Sequence, residues 1–194
     1  MIIKDTKVKE DIKTNSAETF SAPKLKEASN IFVQEAKSFS APKLKDVRRI
    51  YVPSAKKFSV PKLEKAEEIW AFSTKSFSAP KLKKAQNIWI GSVKAFSTPK
   101  LEKINYINVA SVKKFSAPKL KTATSTIYAD SAKSFSTPKL KEAFNIDVDS
   151  AESFSVPKLE KAYSIYAQSA KKFSVPKLKK AGDIYVYSAE IIEL

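Results

Sequence analysis

Three acids, Asp130, Asp147 and Asp149, are the residues of this chain whose type and spacing could do chemistry. Two carboxylates held a few ångströms apart can share acid and base roles at a glycosidic bond. Three oxygen donors together suit a hard cation. The remaining sequence supplies little to work with them. It contains no histidine and no cysteine in 194 residues, so the usual general base, the commonest metal ligand and all thiol chemistry are missing. No polar orienting group accompanies the trio. The expectation is a protein that is not an enzyme, with no catalytic residues and no cofactor. The trio Asp130, Asp147 and Asp149 is the single candidate for a metal, and solvated surface carboxylates are the plainer reading.

Every residue of the trio is positioned by one repeated phrase. FSAPKLKEA at 20–28 returns as FSAPKLKDV at 39–47 and FSVPKLEKA at 58–66. Phenylalanines stand at 20, 39, 58, 77, 96, 115, 135, 154 and 173, spaced by 19 residues at every step but one. A fixed period of this order is the mark of a solenoid. The one 20-residue unit carries its extra residue between Ala123 and Ile127, where a turn leads into a strand.

Counting from each Phe as position zero, Ser follows at one, Pro at three, Lys at four and Leu at five. Position eleven is Ile, position thirteen Val, Ala or Ile, and position sixteen Ala, Val or Thr. Residues eleven and thirteen alternate with outward neighbours, the period of a short strand. Stacked strands of this kind form a parallel sheet about 4.8 Å apart, with equivalent residues one above another. The fold class expected is therefore a mainly β repeat solenoid, with one short parallel strand per repeat and an extended side around the prolines. Its parts are a partial repeat or cap over 1–19, nine repeats over 20–189 and a partial repeat over 190–194. Ile12, Thr14 and Ala17 fit the strand columns ahead of the first Phe. The serines Ser21, Ser40 and Ser59, and Ser54, Ser73 and Ser92, are expected at corners, as turn-forming hydroxyls.

The segments AQNIWIGSV and AEEIWAFST, written AxxIxVxxA, resemble the core of leucine-rich repeats, with Ala, Val or Thr in place of the usual Asn. The longer phrase FxxPxLxxAxxIxV is similar to bacterial BspA-type repeats, over residues 8 to 192. The resemblance implies a right-handed coil whose sheet lies on its concave side and recognises macromolecules there.

Variation concentrates at positions nine, ten, twelve and fourteen. Position twelve reads Phe32, Tyr51, Trp70, Trp89, Asn108, Tyr128, Asp147, Tyr166, Tyr185. Phe72, Tyr106 and Tyr187 extend this aromatic face from neighbouring columns, and Arg49 and Glu68 are placed to pair between coils. A ladder of rings stabilises a sheet, and large aromatics also dominate binding energy. A protein partner docking on this face is the leading expectation, with glycan binding as an alternative.

The net charge of +16 comes almost wholly from lysine, since Arg48 and Arg49 are the only arginines. Lys24, Lys43, Lys62, Lys81, Lys100, Lys119, Lys139, Lys158 and Lys177 form one column at position four, away from the aromatic face. Such a column solubilises, and it could also bind nucleic acid or another polyanion. The bare C-terminal coil could join a second copy of the chain. No apolar run approaches a membrane span and no leader is visible, so a cytoplasmic location is expected; a surface or secreted one requires a trimmed chain.

Overall fold

The computed structural model describes residues 1–15, 18–91, 93–109 and 111–194; Ala17 and Ser92, named above, lie outside the described residues. The chain winds into a parallel β-solenoid of about ten coils, with no helix among the described residues. Among the described residues no helix is long and apolar enough to cross a membrane.

Most coils are closed by two tight turns among the described residues. In the first, the Leu44 amide donates to the Ala41 carbonyl at 3.2 Å and the Leu63 amide to Val60 at 3.0 Å. Proline therefore occupies the second residue of the turn, where its fixed φ fits and its missing N–H costs nothing. The position-four lysine follows it and points to solvent. In the second turn the Ala55 amide reaches the Val52 carbonyl at 3.3 Å and Thr74 reaches Ala71 at 3.3 Å. Ser54 and Ser73 sit at these corners as expected. Neither turn requires positive φ, and no described residue adopts it; this is how the fold manages with two glycines.

Between the turns run two strands. The longer one, such as Lys65–Ala71 or Lys84–Ile90, belongs to a twelve-stranded parallel sheet. Ala66, Ile69 and Ala71 face inward, so two successive residues, Glu67 and Glu68, face outward. Strict alternation forbids this, and the strand bends there to allow it. The neighbouring unit breaks at the same place, into Lys103–Ile104 and Tyr106–Asn108. The register shift between Ala123 and Thr126 accommodates the extra residue of the 20-residue unit, at the site expected.

The second strand is an addition to the single strand per repeat read from the sequence. Three residues around each Phe, such as Ser38–Ser40 and Lys57–Ser59, are paired and not merely extended. Ser21, Ser40 and Ser59 thus lie on short strands and not at corners. These strands form one group of four, ending at Ser76–Ser78, and one of five, starting at Ala95–Ser97, which Ile191–Glu193 extends to six.

Away from the shift between Ala123 and Thr126, equivalent residues pair in register, as Phe39 with Phe58 and Ile50 with Ile69. The interior is built of the expected columns. Phe58, Leu63, Ile69 and Ala71 are all buried, as are their equivalents in most coils. Phenylalanine rings stack along the axis, 5.0 Å apart at 4° for Phe20 and Phe39 and 4.9 Å at 10° for Phe154 and Phe173. Each fully buried large side chain contributes roughly 1.5–3 kcal/mol, and no single coil could offset its chain entropy alone.

Candidate functional site

The aromatic face is carried by the longer strands. At position twelve, side chains leave the sheet between the buried Ile and the buried position thirteen, so the rings stand side by side on adjacent coils. Phe32 lies 6.5 Å from Tyr51, Tyr51 is 5.9 Å from Trp70, and Trp70 is 4.5 Å from Trp89. Phe72 meets Trp70 edge-on at 5.8 Å, and Tyr106 continues from Trp89 at 5.4 Å. Six rings of five consecutive coils are therefore one contiguous surface. All are half-buried except Phe72, which is exposed. The Trp70 Nε1 is buried without a hydrogen-bond partner.

Beside this row lies a cleft of about 290 Å³, lined by Phe32, Arg49, Tyr51, Glu68 and Trp70. Arg49 Nε and Glu68 Oε2 pair across it at 3.1 Å. Arg48 does not mirror this pairing toward Glu67: its Nε donates to Asn30 Oδ1 of the preceding coil at 3.1 Å.

The row does not continue through the second half. Asn108 stands where the column would place a ring, and its amide donates to the Tyr106 hydroxyl at 3.2 Å. Tyr128 is half-buried next to Asp147 in register, and Tyr166 and Tyr185 form a separate stack at 4.9 Å and 7°. Tyr187 is exposed, beyond the end of that stack. The twelve residues expected to form one binding face thus fall into a large N-terminal cluster and smaller C-terminal groups.

Between these groups sit the three acids. One carboxylate oxygen each of Asp130, Asp147 and Asp149 lie within 4.8 Å of one another, and all three side chains are half-buried. Gln168 Nε2 donates to Asp149 Oδ2 at 3.1 Å, while Asp149 Oδ1 is buried without a donor. Burial, then the charges of Asp149 and Asp130, push the Asp147 carboxyl up to about 6. Burial and the same three acids raise the Tyr128 hydroxyl. The cluster relieves its repulsion by proton uptake at Asp147.

All nine position-four lysines, from Lys24 to Lys177, are exposed, and none stands in an ion pair among the described residues. Lysines of other columns pair between coils, as in Lys83 with Glu64 at 2.8 Å and Lys121 with Glu102 at 3.0 Å. Those partners hold the Glu64 and Glu102 carboxyls below their ordinary range. Exposed pairs of this kind are screened by salt and add little stability.

One aromatic pair lies outside the strand period used to find the others. Phe144 and Tyr163, at position nine on the outer side of the strand bend, stack at 4.8 Å and 7°. The signal available is two rings in a column held before them by polar residues such as Ser29, Arg48, Glu67 and Gln86.

No family model, no curated protein and no solved structure matches this chain.

Proposed function

We propose that the chain is a non-enzymatic binding scaffold that recognises a protein partner through the cluster from Phe32 to Tyr106. The observation that carries this reading is the contiguity of six rings on a face where the repeat varies, next to a cleft holding the Arg49–Glu68 pair. A framework of invariant inward columns keeps the coils in register, and the outward residues are free to specialise. Rings packed against each other are already ordered, so a partner meets large apolar area at small entropic cost. The AxxIxVxxA segments support the same reading, because the leucine-rich repeats they resemble serve as recognition scaffolds.

The test uses the native cell. Proteins captured by the wild-type chain and by a Phe72→Ala, Arg49→Glu variant are compared, and a partner lost from the variant is purified and titrated against both. A reconstituted complex weakened about tenfold or more in the variant supports the proposal. Equal capture by both chains overturns it, provided the variant keeps the wild-type circular dichroism spectrum.

A further inference from the structure

Phe144 and Tyr163 present the most exposed ring stack of the chain. The two residues retain 49% and 58% of their accessible surface, unlike the half-buried rings of position twelve. The next residue of this column is Gly182, which brings no side chain over the outer face of Tyr163. The Gly182 amide hydrogen-bonds the Tyr163 carbonyl at 2.9 Å, and the backbones approach so closely that a Cβ at 182 would lie 2.6 Å from that oxygen. A close backbone approach thus leaves the column open at the height where a third ring would stack.

The surroundings are basic. The stack lines a shallow groove of about 610 Å³ together with Lys161 and Lys180. A second depression of about 530 Å³, holding Lys121, Lys139, Lys141 and Lys158, shares Thr122 and Glu142 with the first. The two are therefore one continuous strip. Its one lining acid, Glu142, faces Lys161 at 3.7 Å, and Lys121 pairs with Glu102 at 3.0 Å. Lys139, Lys141, Lys158 and Lys180 stand in no ion pair among the described residues. Lys161 and Lys180 are register partners on adjacent coils. Glu142 offsets one of these two charges, so the pair keeps a net positive charge that an anion beside Lys180 neutralises.

We propose that this strip binds single-stranded nucleic acid, with a base stacked on the open face of Tyr163 beside Gly182 and phosphates held by Lys161, Lys180, Lys141 and Lys158. Flat rings set in a lysine-lined groove are the general means of holding unpaired bases irrespective of sequence. In a duplex the base faces are already covered, so the ring stack has nothing to grip. A neutral glycan would use the rings and leave the lysines without a role. The strip shares no residue with the Phe32–Tyr106 cluster, and the two proposals stand or fall separately.

Fluorescence anisotropy with a short labelled oligothymidylate, at several salt concentrations, tests the inference. Tyr163→Ala should weaken binding about tenfold, and Tyr163→Phe should restore it. Lys161→Ala with Lys180→Ala should flatten the dependence of log K on log salt by about 0.7 for each phosphate that is no longer neutralised. A duplex of equal length should bind more weakly and ignore Tyr163→Ala. The wild-type chain, irradiated with a 5-bromodeoxyuridine oligonucleotide, should crosslink at Tyr163 or Phe144. No binding at low salt overturns the proposal. Equal binding of oligothymidylate, duplex and heparin, unaffected by Tyr163→Ala, also overturns it and leaves only lysine attraction for polyanions. Crosslinks confined to other residues do the same, without relying on any variant.

Discussion

Phe77 stacks on Phe96 at 5.7 Å across the step where the sheet of phenylalanine strands is interrupted. Ser76–Ser78 ends the group of four strands and Ala95–Ser97 begins the group of six, so at this step the rings hold the coils together without the ladder beside them. Phe77 is also the member of the spine that is only partly buried, while Phe58 and Phe96 are at 1% and 0% exposure. On the opposite wall the long strands of the same two repeats remain paired, Ile88 with Ile107 and Trp89 with Asn108. One wall is continuous and the other is divided.

The divided wall makes the Phe column unequal in energy. Phe58→Ala removes a sealed ring and is expected to cost about 3–5 kcal/mol in urea unfolding. Phe77→Ala should cost roughly half as much, because part of its surface is already wet and its cavity opens to solvent. Equal losses at the two positions would show that the interruption has no energetic meaning.

The inward column at position two offers a sharper test. It carries Ala22, Ala41, Val60, Thr98, Thr137, Val156 and Val175 among its buried members. The Thr98 and Thr137 hydroxyls are buried without partners. Thr98→Val and Thr137→Val keep the shape and remove a desolvated hydroxyl, so each should stabilise the chain by roughly 1 kcal/mol. The two sites are two coils apart, and their effects should add. Thr74 is the control, since its Oγ1 donates to the Ala55 carbonyl at 2.6 Å. Thr74→Val should instead destabilise by about 1 kcal/mol. Thermal unfolding of the three variants decides whether hydrogen-bond satisfaction, and not β-branching, sets the sign.

The fold is legible in the sequence because its columns are. Buried Phe, Leu and Ile recur at fixed intervals, and a parallel sheet turns that recurrence into vertical contacts such as Ile50 on Ile69. The strand bend is hidden because positions nine and ten are both polar in most coils, as with Arg48 and Arg49, which looks the same in a loop and in a bent strand. That also hides Phe144 and Tyr163: counting by twos from Ile at position eleven assigns position nine to the inward face. The short strand at Phe is masked by the proline beside it, which marks the following turn and not the strand's absence. The division of the aromatic row is foreshadowed by Asn108 and Asp147 in column twelve. Its separation into groups follows from ring geometry that spacing cannot supply.

Asp147 gives the face a dependence on pH. Its carboxyl, pushed up to about 6 from an ordinary 3.8 by burial and by Asp149 and Asp130, keeps a proton in the folded state that the unfolded chain has released. Between these two values the folded chain binds more protons, so stability falls as pH rises, and the loss is complete above about 6. A shift of this size corresponds to about 3 kcal/mol by linkage; partial exposure screens it to about 1 kcal/mol. Carboxyls held low by lysines, such as Glu64 and Glu102, act with the opposite sign, losing their contribution as pH falls below their ordinary 4.5. The raw pH profile mixes both, and the difference between Asp147→Asn and wild type isolates the first. The neutral amide should leave stability almost unchanged near pH 4 and raise it by about 1 kcal/mol near pH 7.5. A pH-independent difference would place Asp147 in contact with solvent at its ordinary acidity and remove the repulsive cluster from the account of this face.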